Sequence, residues 1–285
     1  MIMLSNNLRI FITAAELSNL TETARKLYIS QPAVSQAIKK LEEELGVKLF
    51  IRNKRSQLLL TEAGRDVLAI AYKMADLENK MYQRAYEENH LLGGVLRIAS
   101  VPLGVSIVLA RVLPVFRKQF PQVRIDLVEG SPLEVKNMVL NYQADIGIST
   151  SPYMGLEHRL LMMDTMVSVS RNEPVRIDLE RDDNELILCR VAKDSIAEHL
   201  AGRSVDLSHC LVVEAASTQL NLIEHSGGTG IISELMLSTI PNELVRGTVS
   251  PSMDREISLI ANRFEELPAA AKELAGMILQ RIVTD

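Results

Sequence analysis

The chain has 285 residues, of which 47% are hydrophobic and 24% are charged, and its formal net charge is −5 at pH 7. This composition is typical of a soluble globular protein, and the length allows a small module beside a larger body with its own core. No apolar run is long enough to span a bilayer and residues 1–5 lack a signal-peptide pattern, so we expect a cytoplasmic protein without a membrane partner.

The charge is unevenly distributed along the chain. Residues 1–65 contain 10 Lys and Arg against 6 Asp and Glu, whereas the remaining residues contain 21 against 30. A basic module on an acidic body indicates that a polyanion binds at one end of the molecule.

Three short helices are predicted within this basic module. The first covers residues 8–15. Asn19 can cap the second, which runs to about residue 27, and Glu22 completes a capping box. Ser30 can cap the third, and Gly46 ends it. Three helices with a tight turn between the last two are the helix-turn-helix arrangement.

The third helix has one apolar stripe and one polar face. Val34, Ile38, Leu41 and Leu45 recur at helical spacing, which predicts that they are buried. The polar face could be an ordinary solvated surface, as most such faces are. Short strands predicted at residues 48–52 and 58–60 enclose a basic turn, however, and would form a wing beside the helix.

The polar face and the wing together favour DNA as the polyanion. Amide and hydroxyl side chains on the helix can read base edges in the major groove, and the basic side chains of the wing can hold the backbone or minor groove. The predicted DNA-binding residues are Thr21, Gln31, Pro32, Ser35, Gln36, Lys39, Arg52, Lys54 and Arg55.

One long helix is predicted over residues 61–88. An apolar seam follows it at alternating spacings of three and four residues, formed by Val67, Ile70, Met74, Leu77 and Met81. Such a seam either packs against the protein's own body or pairs with a second subunit, and we favour dimerisation. Residues 89–94 end in two glycines and are interpreted as a hinge.

Strands and helices alternate from residue 95 onward. Strands are predicted at residues 95–99, 123–128 and 144–148, with helices at 105–120 and 133–141 and a closing helix at 268–282. Further apolar runs at 186–188, 211–213, 230–232 and 257–260 continue the pattern. This alternation predicts a parallel α/β sheet with helices on both faces. Ligands of such sheets bind beyond the carboxyl ends of the strands.

Polar residues at these strand ends suit a small anion or carboxylate. The candidate effector-binding residues are Ser100, Gly130, Ser131, Thr150 and Thr218, with Ser217 beside the last of them. The alternative for Ser131 and Ser217 is that each is only a helix cap.

Other chemistry is scarce in the sequence. Cys189 and Cys210 lie in apolar strands and are interpreted as core residues, with a redox switch as the alternative. The five histidines show no metal-ligand spacing, and there is no nucleophile elbow or phosphate-binding loop. We therefore expect neither a metal nor a cofactor, and no enzyme, although an α/β enzyme fused to a DNA-binding module is an alternative. A transport receptor would need a signal peptide.

Residues 1–64 resemble the LysR-type transcriptional regulators. The residues that carry the resemblance are Phe11, Ala15-Glu16, Thr21, Ala24, Leu27, Ser30-Gln31-Pro32-Ala33-Val34-Ser35, Ile38, Leu41-Glu42, Leu45-Gly46, Leu49-Phe50, Arg52 and Leu60-Thr61-Glu62-Ala63-Gly64. Thr23 departs from the pattern, which usually has a second alanine there.

The resemblance implies a winged helix-turn-helix domain at residues 1–60, a linker helix that pairs two subunits at 61–88, a hinge at 89–94 and an effector-binding domain at 95–285. That domain is expected to have two periplasmic-binding-protein-like lobes, lobe I at 95–161 and 265–285 and lobe II at 162–264. Effector contacts are implied at the positions of Ser100, Ser131, Thr150 and Thr218.

The expected function is sequence-specific transcriptional regulation controlled by a small effector. The resemblance implies a dimer of dimers that binds an interrupted palindrome in double-stranded DNA, with RNA polymerase as a further candidate partner.

Overall fold

The computed structural model describes residues 5–52, 58–88, 93–181, 185–200 and 206–282. The chain divides into two compact units, one formed by Met1–Gly94 with Asn141–Gln143 and the other by Val95–Leu140 with Ala144–Asp285. Among the described residues, no helix has both the length and the apolar character needed to cross a membrane.

The first unit contains the predicted helices and wing strands. Its elements are α1 Asn6–Leu17, α2 Leu20–Leu27, α3 Gln31–Leu45, β1 Phe50–Arg52, β2 Leu58–Leu60 and α4 Glu62–Glu88. Strands β1 and β2 are antiparallel, with Phe50 opposite Leu60. The first wing strand therefore begins two residues later than predicted.

Local capping signals determine where α2 and α3 begin and end. Asn19 Oδ1 accepts hydrogen bonds from the backbone N–H groups of Thr21 and Glu22. Ser30 Oγ accepts one from Ala33. Gly46 adopts a φ of +70° at the end of α3, a conformation that costs glycine little. These three predicted caps are confirmed.

Most of the apolar stripe predicted on α3 is buried in the core of the basic module. Val34, Ile38 and Leu41 are buried, but Leu45 is 47% exposed, so its predicted burial is wrong. The last turn of α3 projects beyond the packed core. The side chain that is buried instead in this part of the helix is Glu42.

Glu42 connects α3 to the start of the wing. Its Oε1 accepts hydrogen bonds from the backbone N–H groups of Leu49 (2.9 Å) and Phe50 (3.3 Å), and its Oε2 lies 2.6 Å from Lys48 Nζ. Burial alone would raise the pKa of this carboxyl, but the Lys48 ammonium and the two N–H groups lower it below its ordinary value. This contact was not predicted.

The second unit is a mixed α/β structure. Its strands are β3 Gly94–Ser100, β4 Val123–Glu129, β5 Ile146–Thr150, β6 Glu157–Ser170, β7 Arg176–Asp178, β8 Leu186–Cys189, β9 Leu211–Val213, β10 Thr229–Ser233, β11 Val245–Arg246, β12 Thr248–Ser250 and β13 Asp254–Ala261. Its helices are α5 Pro102–Gly104, continued by a π-helical turn Val105–Leu109 into α6 Ala110–Gln119, α7 Pro132–Leu140, α8 Arg190–His199, α9 Ala216–Ser226, α10 Glu234–Thr239 and α11 Ala269–Ile282.

The main sheet has the strand order β4-β3-β5-β13-β6-β10-β8-β9. We call β3–β5 with α5–α7 the first half, and β8–β10 with α8–α10 the second half. The pairs β3–β5, β8–β10 and β8–β9 are parallel as predicted. Strands β6 and β13 lie between the halves and pair antiparallel with their neighbours, so the prediction of a parallel sheet is wrong there.

The long strand β6 was not predicted, although it connects the two halves. Strand β13 pairs with β5 over residues 257–260, before the predicted return to lobe I near residue 264. In the predicted hinge, residues 89–92 lie outside the described residues and Gly94 begins β3. The lobe and hinge boundaries stay predictions.

Candidate DNA-binding surface and effector cavity

The first turns of α3 present the predicted amide and hydroxyl groups on the module's surface. Gln31 Nε2 donates a hydrogen bond to Ser35 Oγ at 2.9 Å, which orients the Gln31 amide along the helix. Pro32 and Gln36 are exposed. The face is therefore a set of hydrogen-bonding groups on a helix that is anchored by its buried side.

The other predicted DNA-binding residues have different surroundings. Thr21 is exposed in the first turn of α2. Lys39 is exposed and lies 3.5 Å from Glu43 in an ion pair. Lys54 and Arg55 lie outside the described residues, and Arg52 is described only as the last backbone position of β1.

The seam of α4 is mostly exposed. Ile70, Met74, Leu77 and Met81 have exposed fractions between 47% and 60%. Val67 differs, because it packs against the module's own cluster around Leu8, Phe11 and Leu49. Only the other four residues are available to a partner, and we call them the α4 seam.

A cavity of about 630 Å³ lies between the first and second halves of the sheet. We call it the effector cavity. Its walls are largely apolar, with Val101 and Leu103 from the first half and Ala192, Ile232 and Met236 from the second. An apolar body of a small molecule could therefore be desolvated there.

Two helix N-termini and a hydroxyl supply the polar side of the cavity. Helices α8 and α9 follow the parallel strands β8 and β9, and their first residues line the cavity. Neither helix has a side-chain oxygen at its cap, and at the start of α8 the N–H groups of Val191 and Ala192 approach the Cys189 sulfur, a weak acceptor that an anion could replace. Thr150 is 4% exposed and lines the cavity, and within the described part of the chain its hydroxyl has no hydrogen-bond partner.

Charged side chains also reach the cavity. Arg255 lies there, but Asp164 neutralises it at 2.7 Å, and Asp164 also accepts hydrogen bonds from Ser233 and the backbone of Leu235. Glu214 lines the cavity and is paired with Arg190. Glu129 is a second carboxylate in the lining. Since Arg255 is already paired with Asp164, the groups there that could attract an anion are the backbone N–H groups at the helix starts.

The predicted effector residues are not all brought together. Thr150 lines the cavity, but the structure does not place Ser100, Gly130, Ser131 or Thr218 in its wall. Ser100 is fully buried beneath α5, because the close approach of Gly104 leaves no room between them: a Cβ on Gly104 would lie 2.5 Å from Ser100 Oγ.

Two of these residues instead belong to helix starts. Ser131 Oγ accepts a hydrogen bond from the N–H of Glu134, whose carboxylate accepts one from Ser131 N–H at 2.7 Å. This reciprocal arrangement is a capping box. Thr218 lies inside the first turn of α9, not at the end of a strand as predicted, and its neighbour Ser217 lines the cavity.

The two cysteines are too far apart for a disulfide in this fold. Cys189 pairs in register with Val213 of β9, and Cys210 lies three residues earlier, just before that strand begins. That offset is roughly 10 Å, whereas a disulfide needs Cα atoms within about 7 Å. Burial raises the pKa of both thiols, which reduces the reactive thiolate.

Comparisons with known proteins agree with this geometry. Residues 5–65 match the model of the bacterial regulatory helix-turn-helix proteins of the lysR family, and residues 89–282 match the LysR substrate binding domain. The chain belongs to the LysR family of transcriptional regulators. It is 38% identical over 285 residues to the HTH-type transcriptional regulator YoaU of Bacillus subtilis (strain 168), covering 98% of each chain.

Solved structures show the same fold as this LysR regulator. A full-length OxyR variant from Pseudomonas aeruginosa has a TM-score of 0.61 at 20% identity and covers 98% of this chain and 95% of its own. Full-length CbnR in complex with its target DNA has a TM-score of 0.59 at 21% identity and covers 96% of this chain and 98% of its own. The DNA-binding assignment of the regulator follows from its family.

Several residues of the site were missed by the sequence analysis. Arg255 and Asp164 are distant in sequence and meet only because β13 pairs with β6. The starts of α8 and α9 carry no capping residue, so no local signal identified them. Glu42 had one available signal, because a lysine follows it closely at position 48.

Proposed function

We propose that this regulator reads a specific DNA sequence with the exposed face of α3 and responds to a small anionic effector held in the effector cavity. The observation that carries the proposal is that two helix N-termini without side-chain caps line, together with Thr150, a cavity whose walls are largely apolar. The role is regulatory rather than catalytic, and a protein that binds bacterial DNA acts in the cytoplasm.

The α3 face supports major-groove reading. Gln36 is exposed and offers both a donor and an acceptor, the combination that recognises adenine edges. Lys39 lies three residues further along the helix and offers a flexible cation suited to phosphate. We propose that Gln36 determines the base preference and that Lys39 contributes affinity through a phosphate contact.

Gln36→Ala should weaken binding to the specific site by about 1–3 kcal/mol and relax base preference at one position. Lys39→Ala should weaken binding to all sequences alike and reduce the dependence of affinity on salt, because one phosphate contact is lost. Fluorescence anisotropy across a panel of single-base variants and salt concentrations measures both effects. Identical behaviour of the two variants would reject the division of roles.

The effector is proposed to have an anionic end and an apolar body. The anion would accept hydrogen bonds from the N–H groups at the starts of α8 and α9 and from the Thr150 hydroxyl. The apolar body would lie against Leu103, Ile232 and Met236. Native mass spectrometry of the full-length protein purified from cells would identify a retained molecule of this kind.

Thr150→Val should lower the affinity for the retained ligand by about tenfold. The substitution removes a hydrogen bond to a charged group and keeps a side chain of nearly the same volume. Ser131→Ala is the matched control, since it removes a hydroxyl that caps α7 instead of lining the cavity. It should lower stability by about 1 kcal/mol and leave ligand affinity unchanged. Equal ligand loss in both variants would place the ligand elsewhere.

The α4 seam supports self-association. Its four apolar side chains lie on one face of a helix and are exposed in the single chain. Pairing with the seam of a second subunit would bury them and would place two α3 helices on one DNA molecule. We propose a dimer built on this seam, and a dimer of dimers on an interrupted palindrome.

A further inference from the structure

Helix α7 carries a lysine whose side chain is fully buried. Lys136 Nζ donates hydrogen bonds to Glu198 Oε1 and to the Pro152 carbonyl oxygen, both at 2.9 Å. Glu198 lies near the end of α8, and its side chain is 33% exposed. A buried charge of the first half of the sheet is thus neutralised by a carboxylate of the second half.

Breaking this ion pair would be costly on the lysine side only. An ammonium that stays buried without its counter-ion has lost its hydration without gaining an ion pair, which is destabilising. The partly exposed carboxylate can instead turn to solvent and be hydrated. The structure therefore favours arrangements in which α8 stays close to α7. A second contact ties the same helix to β13, because Arg255 Nη1 donates a hydrogen bond to Ser195 Oγ of α8 at 2.8 Å.

The two helices joined by this pair both begin at the effector cavity. Pro132 at the start of α7 and Ala192 in the first turn of α8 line the cavity, whereas Lys136 and Glu198 lie outside its wall. Glu198 lines a smaller pocket that shares Thr150 and Arg255 with the cavity, so the ion pair lies next to the cavity and acts on its walls through the positions of the helices that carry it.

We propose that the Lys136–Glu198 ion pair is a positioning contact that holds α8 against α7 and so sets the separation of the walls of the effector cavity. The inference rests on the proposed function for its consequence, which is that losing the pair weakens effector binding. The contact itself can be tested without any effector, because Cys189 lines the cavity and is almost completely buried.

The test is alkylation of the full-length protein with iodoacetamide, followed by peptide mass spectrometry of both cysteines. Glu198→Ala should raise the alkylation rate of Cys189 at least about tenfold, because the walls separate more often. Cys210 lies in the same half but does not line the cavity, so its rate should stay unchanged and report that this half remains folded.

Asp194→Ala is the matched control, since it removes an exposed carboxylate from the same helix without contacting Lys136. It should leave both rates unchanged.

Two further variants keep the test possible if Glu198→Ala does not fold. Glu198→Gln keeps an oxygen acceptor, and Lys136→Met removes the buried charge. Each should raise the alkylation rate of Cys189 but not that of Cys210. An unchanged Cys189 rate, or an equal rise at both cysteines, would overturn the positioning role. The rates are compared on protein that native mass spectrometry shows to be free of a retained molecule, so a failure of the proposed function would be seen separately.

Discussion

Leu77→Glu is expected to raise the dissociation constant of the subunits at least about 100-fold and to abolish binding to a palindromic site. Leu77 is the most exposed residue of the α4 seam at 60%. In a paired seam its carboxylate would be buried among apolar side chains without a partner, which costs several kcal/mol, and each 1.4 kcal/mol is about a tenfold change. Light scattering and DNA-binding titrations measure the two effects.

Leu77→Met is the control for this prediction. It keeps an apolar side chain of similar volume, so the mass and the DNA affinity should stay close to those of the parent. A Leu77→Glu protein that keeps the parent's mass would show that α4 uses its seam within one chain instead.

Glu42→Ala is expected to lower the free energy of unfolding of the DNA-binding module by about 2–4 kcal/mol. The substitution leaves the N–H groups of Leu49 and Phe50 without their acceptor and removes the partner of Lys48. The wing begins at these residues, so DNA binding should fall as well. Urea denaturation of the full-length protein, monitored with a fluorescent probe attached to the DNA-binding module, measures the change in the free energy of unfolding.

Glu43→Ala is the control, because Glu43 is exposed and pairs only at the surface with Lys39. It should change stability by less than about 1 kcal/mol. Comparable losses in the two variants would show that burial of Glu42 has no special effect.

The same carboxyl predicts how stability depends on pH. Its folded pKa lies below the ordinary value of 4.5, because Lys48 and two N–H groups favour the charged form. The contribution of Glu42 is therefore complete above the unfolded pKa and is lost as the pH falls through the lowered folded pKa. In Glu42→Gln, acid should destabilise the module less steeply than in the parent. Parallel curves of stability against pH would contradict this assignment.

The elements that were predicted most accurately from the sequence are those whose ends are set by residues close by in the chain. Asn19, Ser30 and Gly46 act on backbone groups a few residues away, so the limits of α2 and α3 could be predicted closely. Leu45 shows the limit of periodicity, because the helical pattern continues past the point where the core ends. The burial of Glu42 depends on a loop folding back onto α3, which no periodic pattern records.

The effector cavity was harder to predict because its residues meet through long-range strand pairing. Thr150 ends a buried strand and was identified for that reason. Ser100 ends a strand too, but the close approach of Gly104 seals it from the cavity. The contacts of Arg255 with Asp164 and of Lys136 with Glu198 join residues 91 and 62 positions apart. The first contact follows from the antiparallel pairing of β13 with β6, and the second joins helices α7 and α8 of the two halves. Strand–helix alternation predicts neither.

The central claim is that α3 and its symmetric copy read two half-sites of one DNA sequence. The most direct measurement is selection of bound sequences from a random pool of double-stranded DNA by the full-length protein. We expect the enriched sequences to contain an interrupted palindrome whose half-sites are separated by about one helical turn or a multiple of it. Gln36→Ala should lose preference at one symmetric pair of positions. Enrichment of no common sequence, or of a single half-site only, would contradict the account.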